Sequence, residues 1–182
     1  MRRVWPAIAV ALLLGNAAHP VVTRVVKIRP AVMQGMSKPA ASQPVATPPV
    51  PGVLQPLQPY LRAFSHAAQV TKVPQSLLEA VALTESSGNP AAVSRRGAEG
   101  LMQVEPRTAH AMGVWGVAAP VVNILAGARY LAWLAQQVHL DGCWACAWPV
   151  DRVLSGYNAG LHGRYQAGYV ASVRRRWQEI AA

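Results

Sequence analysis

Proline is spread so unevenly along this chain that it decides where a core can form. Ten of the fifteen prolines fall in the first 59 residues, a stretch with six Lys or Arg and no Asp or Glu. Proline removes a backbone donor and fixes φ. The segment "SKPAASQPVATPPVPGVLQPLQP" shows neither helical nor strand periodicity, and residues 19–58 are expected to form an extended basic linker. A packed domain must then come from residues 59–182, where apolar residues recur at regular spacing. No internal repeat is visible.

The first residues, "MRRVWPAIAVALLLGNAAHP", place Arg2 and Arg3 ahead of an apolar run from Val4 to Leu14. That run is too short to span a bilayer comfortably. Small residues around Ala17 and Ala18 offer a cleavage point. Residues 1–18 therefore read as a signal peptide, with periplasmic or other exported localisation. An uncleaved anchor is the alternative, and membrane contact is expected only through this segment. The absence of a Cys after the run argues against a lipid-modified start.

Residues 60–182 carry eleven Lys or Arg against seven acids, a mildly basic balance. Such a surface attracts anionic partners or is simply well solvated. No helix-turn-helix, zinc-finger or RNA-binding signature is present, so no specific nucleic-acid partner is expected.

The body reads as mainly α, with five or six short helices. "YLRAFSHAAQV" has helical spacing. "VPQSLLEAVALTES" opens at Pro74 and is closed by Gly88, Asn89 and Pro90. "PRTAHAM" is a short helix ended by Gly113. "VVNILAGARYLAWLAQQV" carries a long apolar stripe. "PVDRVLSGYNAG" and "GYVASVRRRWQEIA" supply two more. "AEGLMQVE" holds at most one short extended piece.

Glu85 is placed unusually. Leu78, Val81, Ala82 and Glu85 fall at i, i+3, i+4 and i+7, so the acid shares the buried stripe. It also sits in the last turn, where the helix dipole presents partial negative charge. Both effects oppose ionisation, and a carboxyl kept protonated near neutrality can act as a general acid. The plainer reading is a solvated acid at a fraying helix end.

The neighbouring motifs bear on that choice. "ESSGNPAAVSRRGAEGLMQVEPRTA", "NILAGARYL" and "SGYNAG" resemble the soluble-type lytic transglycosylases, goose-lysozyme-like enzymes of glycoside hydrolase family 23. The resemblance runs from about Tyr60 to Trp177, and four motifs agree in order and spacing. It implies a compact α+β lysozyme-like catalytic domain that is mainly helical. It implies that Glu85 is the sole catalytic acid/base, that Ser94, Gln103 and Thr108 line the cleft, and that Tyr157 contacts the catalytic carboxyl with Asn158 beside it. Gly100, Met102, Asn123, Gly127 and Gly160 fall on its structural positions.

Glu105 departs from the pattern, since the family commonly has a methionine there. It is either a neutral, solvent-facing change or a second carboxylate near Glu85 that would raise the Glu85 pKa and admit hydrolysis. Glu99 is a second departure. A one-carboxyl route suits a chain so poor in acids, because ordinary glycosidases need two. The resemblance implies cleavage of the bond between N-acetylmuramic acid and N-acetylglucosamine to leave an anhydro end. By analogy it implies service to an envelope-spanning secretion or conjugation machine. Peptidoglycan strands are the expected partner, for a monomer without cofactor. The alternatives are a hydrolytic lysozyme and a non-catalytic wall-binding assembly protein.

Cys143 and Cys146, in "CWAC", read as a local disulfide or two buried thiols, and export favours the bridge. A redox role lacks its strand–helix context, and a zinc site with His139 lacks a fourth ligand, so no metal is expected. His66, His110 and His162 are read as structural. The "RRRW" run from Arg174 to Trp177 is read as a solvated face with Trp177 turned inward.

Overall fold

A computed structural model describes residues 51–140 and 142–182, the side chains of residues 147 and 148 excepted. The expected signal segment, and the linker up to residue 50, lie outside the described residues. The described residues belong to one compact unit, Thr47–Ala182.

Six α-helices carry the fold: α1 (Leu61–Thr71), α2 (Gln75–Ser86), α3 (Pro106–Ala111), α4 (Pro120–Gln137), α5 (Ala147–Ala159) and α6 (Ala167–Ala181). The fold is thus mainly α. In place of strands, the described residues hold two isolated antiparallel bridges, Val93 with Glu99 and Glu99 with Val104. None of the described helices is long and apolar enough to cross a membrane.

Sequence periodicity decides the core. On α4, Ile124, Ala128, Leu131 and Leu134 are fully buried, and the helix packs on α1, α3 and α5. On α2, Leu77, Leu78, Val81 and Ala82 are fully buried, and its main partner is α6. Each such Leu contributes about 1.5–3 kcal/mol on leaving water. Two polar contacts fix α6. Trp177 Nε1 donates to Ser76 Oγ at 2.9 Å, and Arg174 is ion-paired with Asp151 on α5.

The expected end of the linker at residue 58 is corrected by the fold. Gly52–Tyr60 is a 3-10 helix with Leu54 and Leu57 buried in the core. Its prolines do not prevent this, because their fixed φ suits a 3-10 turn. Two leucines three residues apart share one face of a helix with three residues per turn. Gly88 lies against this segment: a Cβ there would come within 2.5 Å of Pro56 Cβ, and its φ is +82°. Cys143 and Cys146 are joined by a disulfide in the connection before α5.

Candidate active site

The site is built around the end of α2. Ser87 closes that helix in the left-handed region at φ 53°, its N–H donating to Leu83 O at 3.1 Å. Glu85 therefore sits in the last turn, half-buried. Its Oε1 accepts a 2.7 Å hydrogen bond from the Tyr169 hydroxyl on α6.

Burial pushes the Glu85 carboxyl above its ordinary 4.5, and the Tyr169 bond, which favours the charged form, offsets part of that rise. Both nearby phenols are raised well above 10.0, chiefly by burial and then by the Glu85 charge. Tyr157 and Tyr169 thus remain protonated donors beside the acid.

A loop at Gly100–Gln103 is strapped to three helices, one of them α2 at the residue after Glu85. Ser86 Oγ, on α2, donates to Leu101 O at 2.8 Å. Asn123, fully buried on α4, accepts from Met102 N at 2.7 Å through Oδ1 and donates through Nδ2 to Glu99 O and Val117 O. Tyr157, on α5, donates from its hydroxyl to Met102 O at 2.8 Å. Both backbone polar groups of Met102 are thereby satisfied by side chains, as burial requires.

Two glycines make the approach possible. A Cβ on Gly100 would lie 2.7 Å from the Asn123 amide, and one on Gly127 would lie 2.7 Å from Met102 Sδ and 2.8 Å from the Tyr157 hydroxyl. Gln103 is held at φ 46°, and its Nε2 donates to Ala92 O and Gly100 O at 2.9 and 3.0 Å.

Gln103, Glu105, Thr108, Tyr157, Asn158 and Gly160 line one cavity of about 260 Å³, together with Arg96, Arg107 and Tyr130. Glu85 lies beside this cavity and is not on its wall; Tyr157 links the two, since it lines the cavity and feels the Glu85 charge. Tyr130 packs against Tyr157 with ring centroids 5.3 Å apart.

Two expectations change. The tyrosine bonded to Glu85 is Tyr169, while the Tyr157 hydroxyl is taken by the Met102 carbonyl. Ser94 is not on the cavity wall; its Oγ accepts from Ala98 N at 3.0 Å and so closes a turn. Glu105, for which two readings stood open, is ion-paired with Arg107 at 2.5 Å; it is not among the influences on Glu85, and, after burial, its charge raises the pKa of Tyr130.

Sequence reading also missed Glu79, which is 2% exposed and accepts from Gln75 Nε2 at 2.8 Å. Burial raises its pKa. Six residues along a helix is a turn of about 120°, so it does not share the Glu85 face.

Comparison with known proteins places these features. The transglycosylase SLT domain family matches residues 62–173. Membrane-bound lytic murein transglycosylase F of Pseudomonas fluorescens is 39% identical over 84 residues, which are 46% of this chain and 17% of that protein. Membrane-bound lytic murein transglycosylase C of Haemophilus influenzae is 39% identical over 112 residues, 56% of this chain and 31% of that protein. The 70 kDa soluble lytic transglycosylase of Escherichia coli, a solved structure, aligns with a TM-score of 0.47 and 28% identity over 67% of this chain and 19% of its own. This chain thus spans only a minor part of each of these relatives.

Proposed function

The chain belongs to the transglycosylase SLT domain family, and from that premise we propose that it is a peptidoglycan lytic transglycosylase with Glu85 as its single acid/base. The observation that carries the proposal is a half-buried carboxyl, raised in pKa by burial, held by Tyr169 beside a polar cleft.

Glu85 starts protonated and gives its proton to the glycosidic oxygen. The acetamido carbonyl of the muramic acid stabilises the positive charge developing at the anomeric carbon. The resulting carboxylate then removes the proton of that sugar's own 6-hydroxyl, which closes an anhydro ring. Attacker and target belong to one residue, so little orientational freedom remains to be lost. Tyr169 holds the carboxyl and stabilises the charged form between the two proton transfers. Asn158, Thr108 and Gln103 line the path of the sugar.

A water-using lysozyme would need a second carboxylate facing the bond. Glu105 is paired with Arg107 and is not among the influences on Glu85, which favours the one-carboxyl route. Relatives named as membrane-bound murein transglycosylases support a place in the cell envelope. Service to an envelope-spanning secretion or conjugation machine is part of the proposal and rests on the sequence resemblance alone. Mass spectrometry of digested peptidoglycan tests the chemistry: anhydromuramic ends are expected, and reducing ends would replace the proposal with hydrolysis.

A further inference from the structure

The 3-10 segment Gly52–Tyr60 ends before residue 62, where the family match begins. It nevertheless packs on α2 and α6, the helices that carry Glu85 and Tyr169. Its contact with α2 falls just past the Glu85 carboxyl. Gly88 has no side chain, and a Cβ there would lie 2.5 Å from Pro56 Cβ and 3.4 Å from Leu57 Cδ2. Leu57 is fully buried, so its side of the contact is anchored in the core.

From Gly88 the contact runs on to the site. The Gly88 N–H donates to Ser86 Oγ at 3.2 Å, and Ser86 Oγ donates to Leu101 O at 2.8 Å. The exit turn of α2 is thus held between the 3-10 segment and the loop that carries Gln103, with Glu85 immediately before it. The segment "GVLQPLQPY" has no Asp, Glu, Lys, Arg or His, so it reaches the site through packing and not through charge. The titratable groups that face Glu85 are the phenols of Tyr169 on α6 and Tyr157 on α5.

We propose that Pro56 and Leu57 are positioning residues: they brace the turn Ser86–Gly88 and so keep Glu85 against Tyr169. The inference rests on the reading of Glu85 as the acid. A catalytic group misplaced by about 1 Å can cost on the order of a hundredfold in rate, so a brace outside the cleft can govern turnover.

The test moves one carbon across the contact in the full chain. Gly88→Ala adds a methyl group that overlaps Pro56; Pro56→Gly removes the Cβ it meets, and the double variant regains the room. Gly88→Ala should lose about ten- to a hundredfold in kcat on glycan strands, with KM changed far less. Pro56→Gly leaves every buried leucine in place and should lose about two- to fivefold, for a fraction of that displacement. The double variant should recover most of the kcat lost by Gly88→Ala. A double variant no faster than Gly88→Ala assigns the loss to the strained φ of +82° and overturns the proposal.

Carbon-13 NMR titration of the Glu85 carboxyl gives a readout that needs no catalysis. Burial is the larger cause of its raised pKa, so a turn that lifts and admits water should move the titration to lower pH. Both single variants should show that shift, and the double variant should return towards wild type. Single variants that unfold at lower urea concentration yet keep wild-type kcat and an unmoved Glu85 titration would reduce the contact to ordinary packing and overturn the proposal. If strand cleavage proves independent of Glu85, the reading of the acid fails separately, and the titration still decides whether the brace exists.

Discussion

Replacing Tyr169 with Phe removes one hydroxyl and leaves the ring that packs against the core. That hydroxyl gives Glu85 its 2.7 Å hydrogen bond. A bond to a charged group contributes about 1.5–3 kcal/mol, so a transition state that depends on it should slow by about ten- to a hundredfold. The pH profile supplies a second reading. Tyr169 lowers the Glu85 pKa against the larger upward push of burial. Without it the carboxyl holds its proton to higher pH. Because the reaction starts from the protonated acid, the alkaline limb of kcat/KM reports Glu85 in the free enzyme. That limb should move upward in Tyr169→Phe. The assay is initial cleavage rate of purified glycan strands from acid to mildly alkaline pH, with Tyr157→Phe alongside. Tyr157 bonds the Met102 carbonyl, so its loss should leave the limb in place. Wild-type rates and an unmoved limb in Tyr169→Phe would refute the reasoning.

Asn123→Ala strands Met102 N–H and the Val117 carbonyl, while the Glu99 carbonyl keeps its bond from Val104 N, and should lower stability by about 3–5 kcal/mol in urea unfolding. Gly127→Ala drives a methyl into Met102 and the Tyr157 hydroxyl; a loss of about 1–3 kcal/mol is expected, with reduced cleavage from a displaced loop. Glu79 has a folded pKa raised above its ordinary 4.5, so below that value nothing is lost, and stability falls as pH rises towards the folded value. Glu79→Gln should therefore unfold at a higher temperature than wild type near neutrality and at the same temperature in acid; a difference that persists in acid would contradict this.

The helices were legible because their apolar residues repeat at helical spacing; the stripe from Ile124 to Leu134 is buried as that spacing requires. Glu85 was legible as an acid on the buried side of α2, just before a stop signal. What failed were readings that depend on distant pairing. Tyr169 meets Glu85 across 84 residues, and nothing local in "GYVASV" marks its hydroxyl as aimed at another helix. It does stand on an apolar helical stripe with Val173 and Trp177, the only local trace of its inward position. Tyr157 was tied to Glu85 by resemblance, yet the Met102 carbonyl competes for its one proton and holds it. Leu54 and Leu57 carry no clear signal in sequence, because a 3-10 face of two residues, set among prolines, resembles linker.

The central claim is that one carboxyl, Glu85, performs both proton transfers. The direct measurement is chromatographic product analysis of peptidoglycan digested with wild type and with Glu85→Gln, both shown to be folded by circular dichroism. The amide keeps the shape and cannot transfer the proton. Anhydro-ended fragments should appear with wild type and be absent with the variant, while comparable fragments from folded Glu85→Gln would contradict the account.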